Sequence, residues 1–265
     1  MEKFPKYFLS LFIVVLYSNL QAQVNCNAVE GENCKKACEI YNDSGSQGSK
    51  DSQENFDKAI ALCPNFSDVY SEKSVPYLKR GDFVTWKVWI DKAVELNPKM
   101  HLGYRGWCKY QFLRDYKGAI ADIETLEKFD PTGYLGYSAN GDYELHIAKA
   151  LCYSAIGQKG KAISIIENQL SKKDHNVGLY DYYQLGVTYF ETGKYDKALE
   201  NFEKQSKVYD FAENIYFKSK VSKIRNKDYL DLKSLALKSY DAGKTMKDAY
   251  THHFNKVYRK QIAEL

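Results

Sequence analysis

Three prolines at near-equal intervals constrain this chain more than any other feature. Pro64, Pro98 and Pro131 lie 34 and 33 residues apart, and each closes an apolar helical pattern: AIALCP, AVELNP and LEKFDP. A fixed period of this length is the mark of a repeat array in which each unit is one supersecondary element. The spacing ahead of the prolines recurs too. Ser74-x2-Tyr77 precedes Gly81-Asp82-Phe83, Trp86-x3-Ile90 and Ala93, while Trp107-x2-Tyr110 precedes Asp115-Tyr116, Ala119-x3-Ile123 and Leu126. Two further units read Ala150-x2-Tyr153, Gly157, Ala162-x3-Ile166 and Gly186-x2-Tyr189, Gly193, Ala198-x3-Phe202. In all four, 12 positions separate the first residue of the tyrosine pair from the first of the x3 pair.

This spacing encodes a helical hairpin. Apolar residues at i, i+3 and i+7 define one helix, a glycine or polar pair ends it, and a second amphipathic helix returns. Gly81, Gly157 and Gly193 fall where the first helix must stop, and glycine tolerates the left-handed backbone that closes it. Small residues such as Ala150, Gly186 and Ala198 let the two helices approach, and aromatics fill the space between them. Proline cannot continue the second helix and sends the chain into the next unit.

These residues resemble the tetratricopeptide repeat, most fully in DYYQLGVTYFETGKYDKALENFEKQ of the fifth unit. The resemblance covers roughly residues 33 to 245. It implies an all-α, right-handed solenoid of five to six antiparallel hairpins, its concave side lined by the first helix of each unit. The opening unit, Cys34 to Pro64, keeps Phe56, Ala59 and Pro64 but has Ser52 where the family prefers alanine, and its segment DSGSQGSKDS is longer than usual. From Pro131 to Asp174 is 43 residues, a nine-residue excess that falls on the Tyr134–Asp142 loop. The last unit, from about Glu213, puts Lys218, Lys220 or Lys223 at packing positions, as expected of a terminal repeat. Tyr250–Leu265 is expected to be a capping helix. No hairpin buries its apolar face alone, so stacked units should share one continuous core.

The first residues follow a different grammar. Lys3 and Lys6 precede the apolar run FLSLFIVVL, and a polar stretch ends at Ala22. That is the pattern of a secretory signal peptide, with cleavage expected after Ala22. The run is short for a membrane span of about 20 residues. The expected division is therefore a signal peptide (1–22), an N-terminal extension (23–32), and a solenoid with a C-terminal capping segment (33–265). Val24-Asn25 ahead of Cys26 lacks the small-residue lead of a lipoprotein signal. An exported, periplasmic or outer-envelope protein is expected.

Export gives the 6 cysteines a meaning, because an oxidising compartment permits disulfides. In the first hairpin Cys34 and Cys38 lie one turn apart on the opening helix, and Cys63 ends the returning one. A Cys34–Cys63 or a Cys38–Cys63 bridge fits, closing a loop of 25–30 residues and stabilising by about 3 kcal/mol. No CxxC pair exists and the histidines are scattered, so no metal set is expected.

The sequence carries no GxSxG, no HExxH and no phosphate-cradling loop, so neither catalytic residues nor a cofactor are expected. Gly133-x2-Gly136 with Gly141 reads as a loop, and Cys152, six residues from His146, as a core thiol. The function that remains is protein or peptide binding. Along the first helix of the fifth unit, Tyr180, Tyr183, Val187 and Phe190 form a second apolar ridge, and Asp181, Gln184, Thr188 and Glu191 a polar stripe that should complete the surface. Tyr41, Tyr104 and Phe217 are placed similarly on their helices, giving six candidate groove residues with Tyr180, Tyr183 and Phe190. An aromatic surface for sugar rings, serving carbohydrate or peptidoglycan processing, is the rival reading. Pro76 inside a first helix should end it early or kink it. Residues 215–265 hold twelve Lys/Arg against five Asp/Glu, a basic end able to meet an acidic partner. Nucleic acid is not an expected partner of an exported chain.

Overall fold

The computed structural model describes residues 24–130 and 132–265; the expected signal peptide lies outside them. Six antiparallel hairpins follow one another: α1 (Glu32–Asn42) with α2 (Lys50–Leu62), α3 (Ser67–Arg80) with α4 (Phe83–Leu96), and α5 (Pro98–Cys108) with α6 (Tyr116–Glu127). Then come α7 (Leu145–Ala155) with α8 (Lys159–Ser171), α9 (Asp181–Glu191) with α10 (Tyr195–Val208), and α11 (Ala212–Ile224) with α12 (Leu230–Asp241). A short α13 (Arg259–Ala263) ends the chain. Among the described residues there is no β-strand, only an isolated bridge between Tyr137 and Glu144.

Each hairpin closes by the means its sequence supplies. Gly81 caps α3 with φ +80° and Gly193 follows α9 with φ +72°, the left-handed backbone that an L side chain resists. Asp82 and Asp115 then start the returning helices by accepting from the amides of Thr85 and Gly118. Close approach is enforced at Gly186, where an added Cβ would lie 2.5 Å from Cε1 of Phe202. Helix α3 runs through Pro76 to Arg80 and does not end early.

The core is continuous through the middle units, from Tyr70 on α3 to Val221 on α11. At each end a smaller cluster takes over: Ala37, Phe56, Phe66 and Val69 around the first hairpin, and Ala212, Ile215, Ala236 and Ile262 around the last. A charged bracket holds the middle. Arg105 on α5 grips Asp122 on α6 with both Nε (2.9 Å) and Nη2 (2.7 Å), and reaches Asp91 on α4 at 2.8 Å.

Three regions depart from the expected repeat. The loop between α1 and α2 is tied down, since Gln47 donates to Glu72 (3.0 Å) and accepts from Lys79 (2.6 Å) of α3. The nine-residue insertion forms a small turn in which Ser138 N donates to Tyr143 O and Leu145 N to Gly136 O. The expected capping helix over Tyr250–Leu265 is confined to α13. Residues 244–258 are irregular and run back over the first helices as a strap. The strap carries polar side chains whose partners lie on other units, and these contacts outweigh local helix formation. Part of the basic excess of this end is paired internally: Lys256 with Glu213, Lys218 with Glu203 and Asp210, Arg225 with Asp196, Arg259 with Asp241.

Candidate functional site

The six aromatic candidates do not share one open surface. Tyr41 packs against Phe56 and Phe66 in the first hairpin. Tyr104 lies farther along, lining a separate cleft. Tyr183 is fully buried among Phe202, Phe211 and Phe217, and Tyr180 is nearly so, against Phe211, Tyr143 and His253. Phe190 and Phe217 are half-buried against each other, with the Lys220 ammonium over both rings. The polar stripe expected to complete the surface is mostly interior: Asp181, Gln184 and Thr188 are buried, and only Glu191 is exposed.

What covers Tyr180 and Tyr183 is the strap, and it is held as a peptide ligand would be. The Tyr183 hydroxyl donates to the carbonyl of Asn255 at 2.6 Å. Gln184 Nε2 donates to Phe254 O (3.0 Å) and to the Tyr143 hydroxyl (2.9 Å), and its Oε1 accepts from the Asn255 side chain (2.8 Å). The buried Glu213 carboxylate accepts from Met246 N and pairs with Lys256 at 2.6 Å. Burial alone would push that carboxyl well up; Lys256 opposes it. At the other side the Tyr250 ring lies 5.4 Å from the Lys79 ammonium of α3. The strap thus touches first helices from the second unit to the sixth.

The centre of this contact is built from unusual backbone. After α5 the chain makes a π-helical turn, Lys109–Leu113, and then Arg114 adopts φ +56°. Arg114 stands 33 residues after Gly81, at the position where neighbouring units place glycine. A left-handed non-glycine residue costs about 1–2 kcal/mol, and such strain concentrates where a side chain is needed. Here the need is visible. The Arg114 guanidinium donates to the carbonyl of His252 and, at 3.4 Å, to the Thr251 hydroxyl. Thr251 Oγ1 in turn donates to the carbonyl of Gln111 inside the π turn (3.2 Å).

A charged cluster joins the strap to the insertion. Asp142, Asp248 and His253 each bring a ligand atom within 4.8 Å of one another, which makes them the described residues most able to hold a cation. Hydrogen bonds already close the cluster. His253 Nε2 donates to Lys247 O at 2.8 Å, and the Asn140 amide bridges Asp142 (2.6 Å) and Asp248 (3.2 Å). Burial, and secondarily Asp248, pushes the Asp142 carboxyl above the usual carboxylate range, with His253 opposing. Tyr180 beside it is pushed up to about 12, by burial first and Asp142 second.

An open cleft of about 280 Å³ lies between the third and fourth hairpins, lined by Tyr104, Met100, Leu126, Tyr134 and Leu145 with Lys99 and Asp130. A second of about 280 Å³ sits across the insertion, more polar, sharing Tyr134 and Tyr137. The remaining thiols, Cys108 and Cys152, are buried, and burial pushes both above the ordinary thiol range, which suits packing and not nucleophilic attack. Cys34 is bonded to Cys63, while Cys38 pairs with Cys26 of the N-terminal extension. The Cys38–Cys63 alternative does not form.

The sequence model of the tetratricopeptide repeat matches residues 182–209, which are α9 with α10. Solved structures extend the likeness along the array. PilW, a widely conserved type IV pilus biogenesis factor, superposes with a TM-score of 0.58 at 14% identity, covering 79% of this chain and 92% of its own. The chain has the fold of a tetratricopeptide-repeat solenoid. MamA of Desulfovibrio magneticus RS-1 (TM-score 0.54, 17% identity, 68% of this chain and 97% of its own) shares that fold. So does a tetratricopeptide repeat protein from Parabacteroides merdae (0.52, 14%, 81% and 75%). No curated protein matches the chain in sequence. The strap crosses the side of the array on which the first helices lie.

Sequence reasoning singled out Tyr180 and Tyr183 but not what covers them. It passed over Arg114, Asn255 and the π turn, and read Gln184 only as part of a polar surface stripe. One signal was present: arginine at the position where the second, fourth and fifth units have glycine.

Proposed function

We propose that this solenoid is a non-catalytic scaffold of the bacterial cell envelope that holds a protein or peptide partner on its inner face. The observation that carries the reading is the strap. Tyr183, Gln184 and Arg114 direct their polar groups at main-chain carbonyls of an aperiodic segment, which is how a groove grips peptide without depending on most of its side chains. The leader-like start, the two disulfides and a fold shared with a pilus biogenesis factor favour an envelope setting. Described helices include none long and apolar enough to cross a membrane. The Tyr104 cleft gives an open anchor point for an apolar side chain.

In-cell crosslinking followed by identification of co-purified proteins tests this. One reproducible partner is expected, and recovery of none would sink the scaffold reading. The carbohydrate alternative draws on Tyr134 and Tyr137, exposed between two clefts. Glycan-array binding lost in a Tyr134→Ala/Tyr137→Ala double variant would favour it.

A further inference from the structure

We propose that the strap is an exchangeable occupant of the groove, and that the partner is a peptide that takes its place by offering the chemistry of Thr251–Asn255. This deepens the scaffold reading and rests on it.

The strap is anchored by buried side chains at its ends and held between them mainly by hydrogen bonds, with His253 buried midway. Met246 is buried at one end and Val257 and Ile262 at the other, while Lys247, Ala249, Tyr250 and His252 stand exposed. Residues 247–252 have no regular secondary structure, and Gly243, with φ +74°, closes α12 just before the strap. Two of the features that hold it are also costly. Arg114 keeps a left-handed backbone in order to reach His252 O. Asp142 and Asp248 face each other across one Asn140 amide. An occupant lacking the second carboxylate would escape that repulsion.

The resting contacts define what a replacement must carry. A hydroxyl is needed where Thr251 meets the π turn. An aromatic ring belongs where Phe254 lies edge-on to Tyr116, their centroids 6.1 Å apart. A carboxamide must follow to complete the pair with Gln184. The partner segment therefore reads Thr/Ser-x-x-aromatic-Asn/Gln with a turn at its last two residues, where Asn255 has φ +61° and Lys256 N donates to His253 O, and carries no acid three residues before the hydroxyl, where Asp248 stands.

Asn255→Gly separates this from a permanent seal, because glycine tolerates the φ of +61° there, deletes the strap's own carboxamide contact with Gln184 and leaves every groove residue in place. The probe is a fluorescein-labelled peptide of residues 247–258, KDAYTHHFNKVY, read by anisotropy. Binding to Asn255→Gly is expected to be about tenfold tighter than to the wild type, since the groove is free for a larger fraction of the time. Adding Gln184→Ala should abolish it. No gain in Asn255→Gly, or a gain insensitive to Gln184→Ala, overturns the proposal. Hydrogen exchange of the wild type guards against a variant that fails to fold. Amides 247–256 should exchange at least about 100-fold faster than those of α9 and α10, through local opening. Equal protection overturns the proposal. A natural partner that crosslinks only at the Tyr104 cleft would also overturn it, while leaving the scaffold reading intact.

Discussion

The two ends of the solenoid face the same problem and close it by different chemistry. A terminal hairpin lacks a neighbour on one side, so part of its apolar face stays wet. At the N-terminal end the answer is covalent. Cys34–Cys63 ties the outer ends of α1 and α2 together and Cys26–Cys38 pins the preceding segment, around a small cluster of Phe56, Phe66 and Val69. At the C-terminal end the answer is folded-back chain. The strap buries Met246 and Val257 and spends its polar groups on Gln184, Tyr183 and Glu213. The first device acts mainly by restricting the unfolded chain and cannot open without reduction. The second depends on hydrogen bonds worth about 1 kcal/mol each, so it can open while the array stays folded.

Predictions follow in order of size. Asp122→Ala, in the middle, leaves Arg105 and Lys109 short of their buried partner and should cost about 3–5 kcal/mol. Its denaturation midpoint should fall for both ends together; a loss confined to one end would show that the two are not joined by a common core. Replacing Cys34 and Cys63 by alanine should cost about 3 kcal/mol. Hydrogen exchange should then rise in α1 and α2 but not in α11 and α12, and equal rises at both ends would break the contrast. Tyr183→Phe removes the bond to Asn255 O and should loosen the strap by about 1 kcal/mol. That effect is expected to be the same with and without reductant.

The smallest effect is on pH dependence. The Asp142 carboxyl sits above the usual carboxylate range through burial and Asp248, against the opposing pull of His253. The folded form therefore binds that proton more tightly than the unfolded, and the penalty of the charged pair is relieved as pH falls through the raised value. Asp142→Asn should hold the strap more firmly than wild type at neutral pH, with the difference closing on acidification. Strap exchange rates measured across that range decide it, and a gap that widens in acid contradicts the assignment.

Much of the architecture was legible in the residues themselves. The proline interval, the Tyr and Ala columns and the glycine stops are local devices, set by helix period, steric size and backbone freedom, and the structure repeats them. The aromatic ridge of α9 was legible as apolar but not as covered. Its cover, residues 244–258, has no periodic pattern to read, and it lies some 60–75 residues away in sequence from Tyr183 and Gln184, its partners on α9.

The sequence alone determined the unit of this protein, a helical hairpin of about 34 residues, because that unit is specified by contacts between near neighbours in the chain. Tertiary structure decided which side chains meet the strap. Only the folded array brings Arg114, Gln184 and Glu213 to one face, and only there does a polar, aperiodic tail gain more from bridging them than from forming a helix of its own.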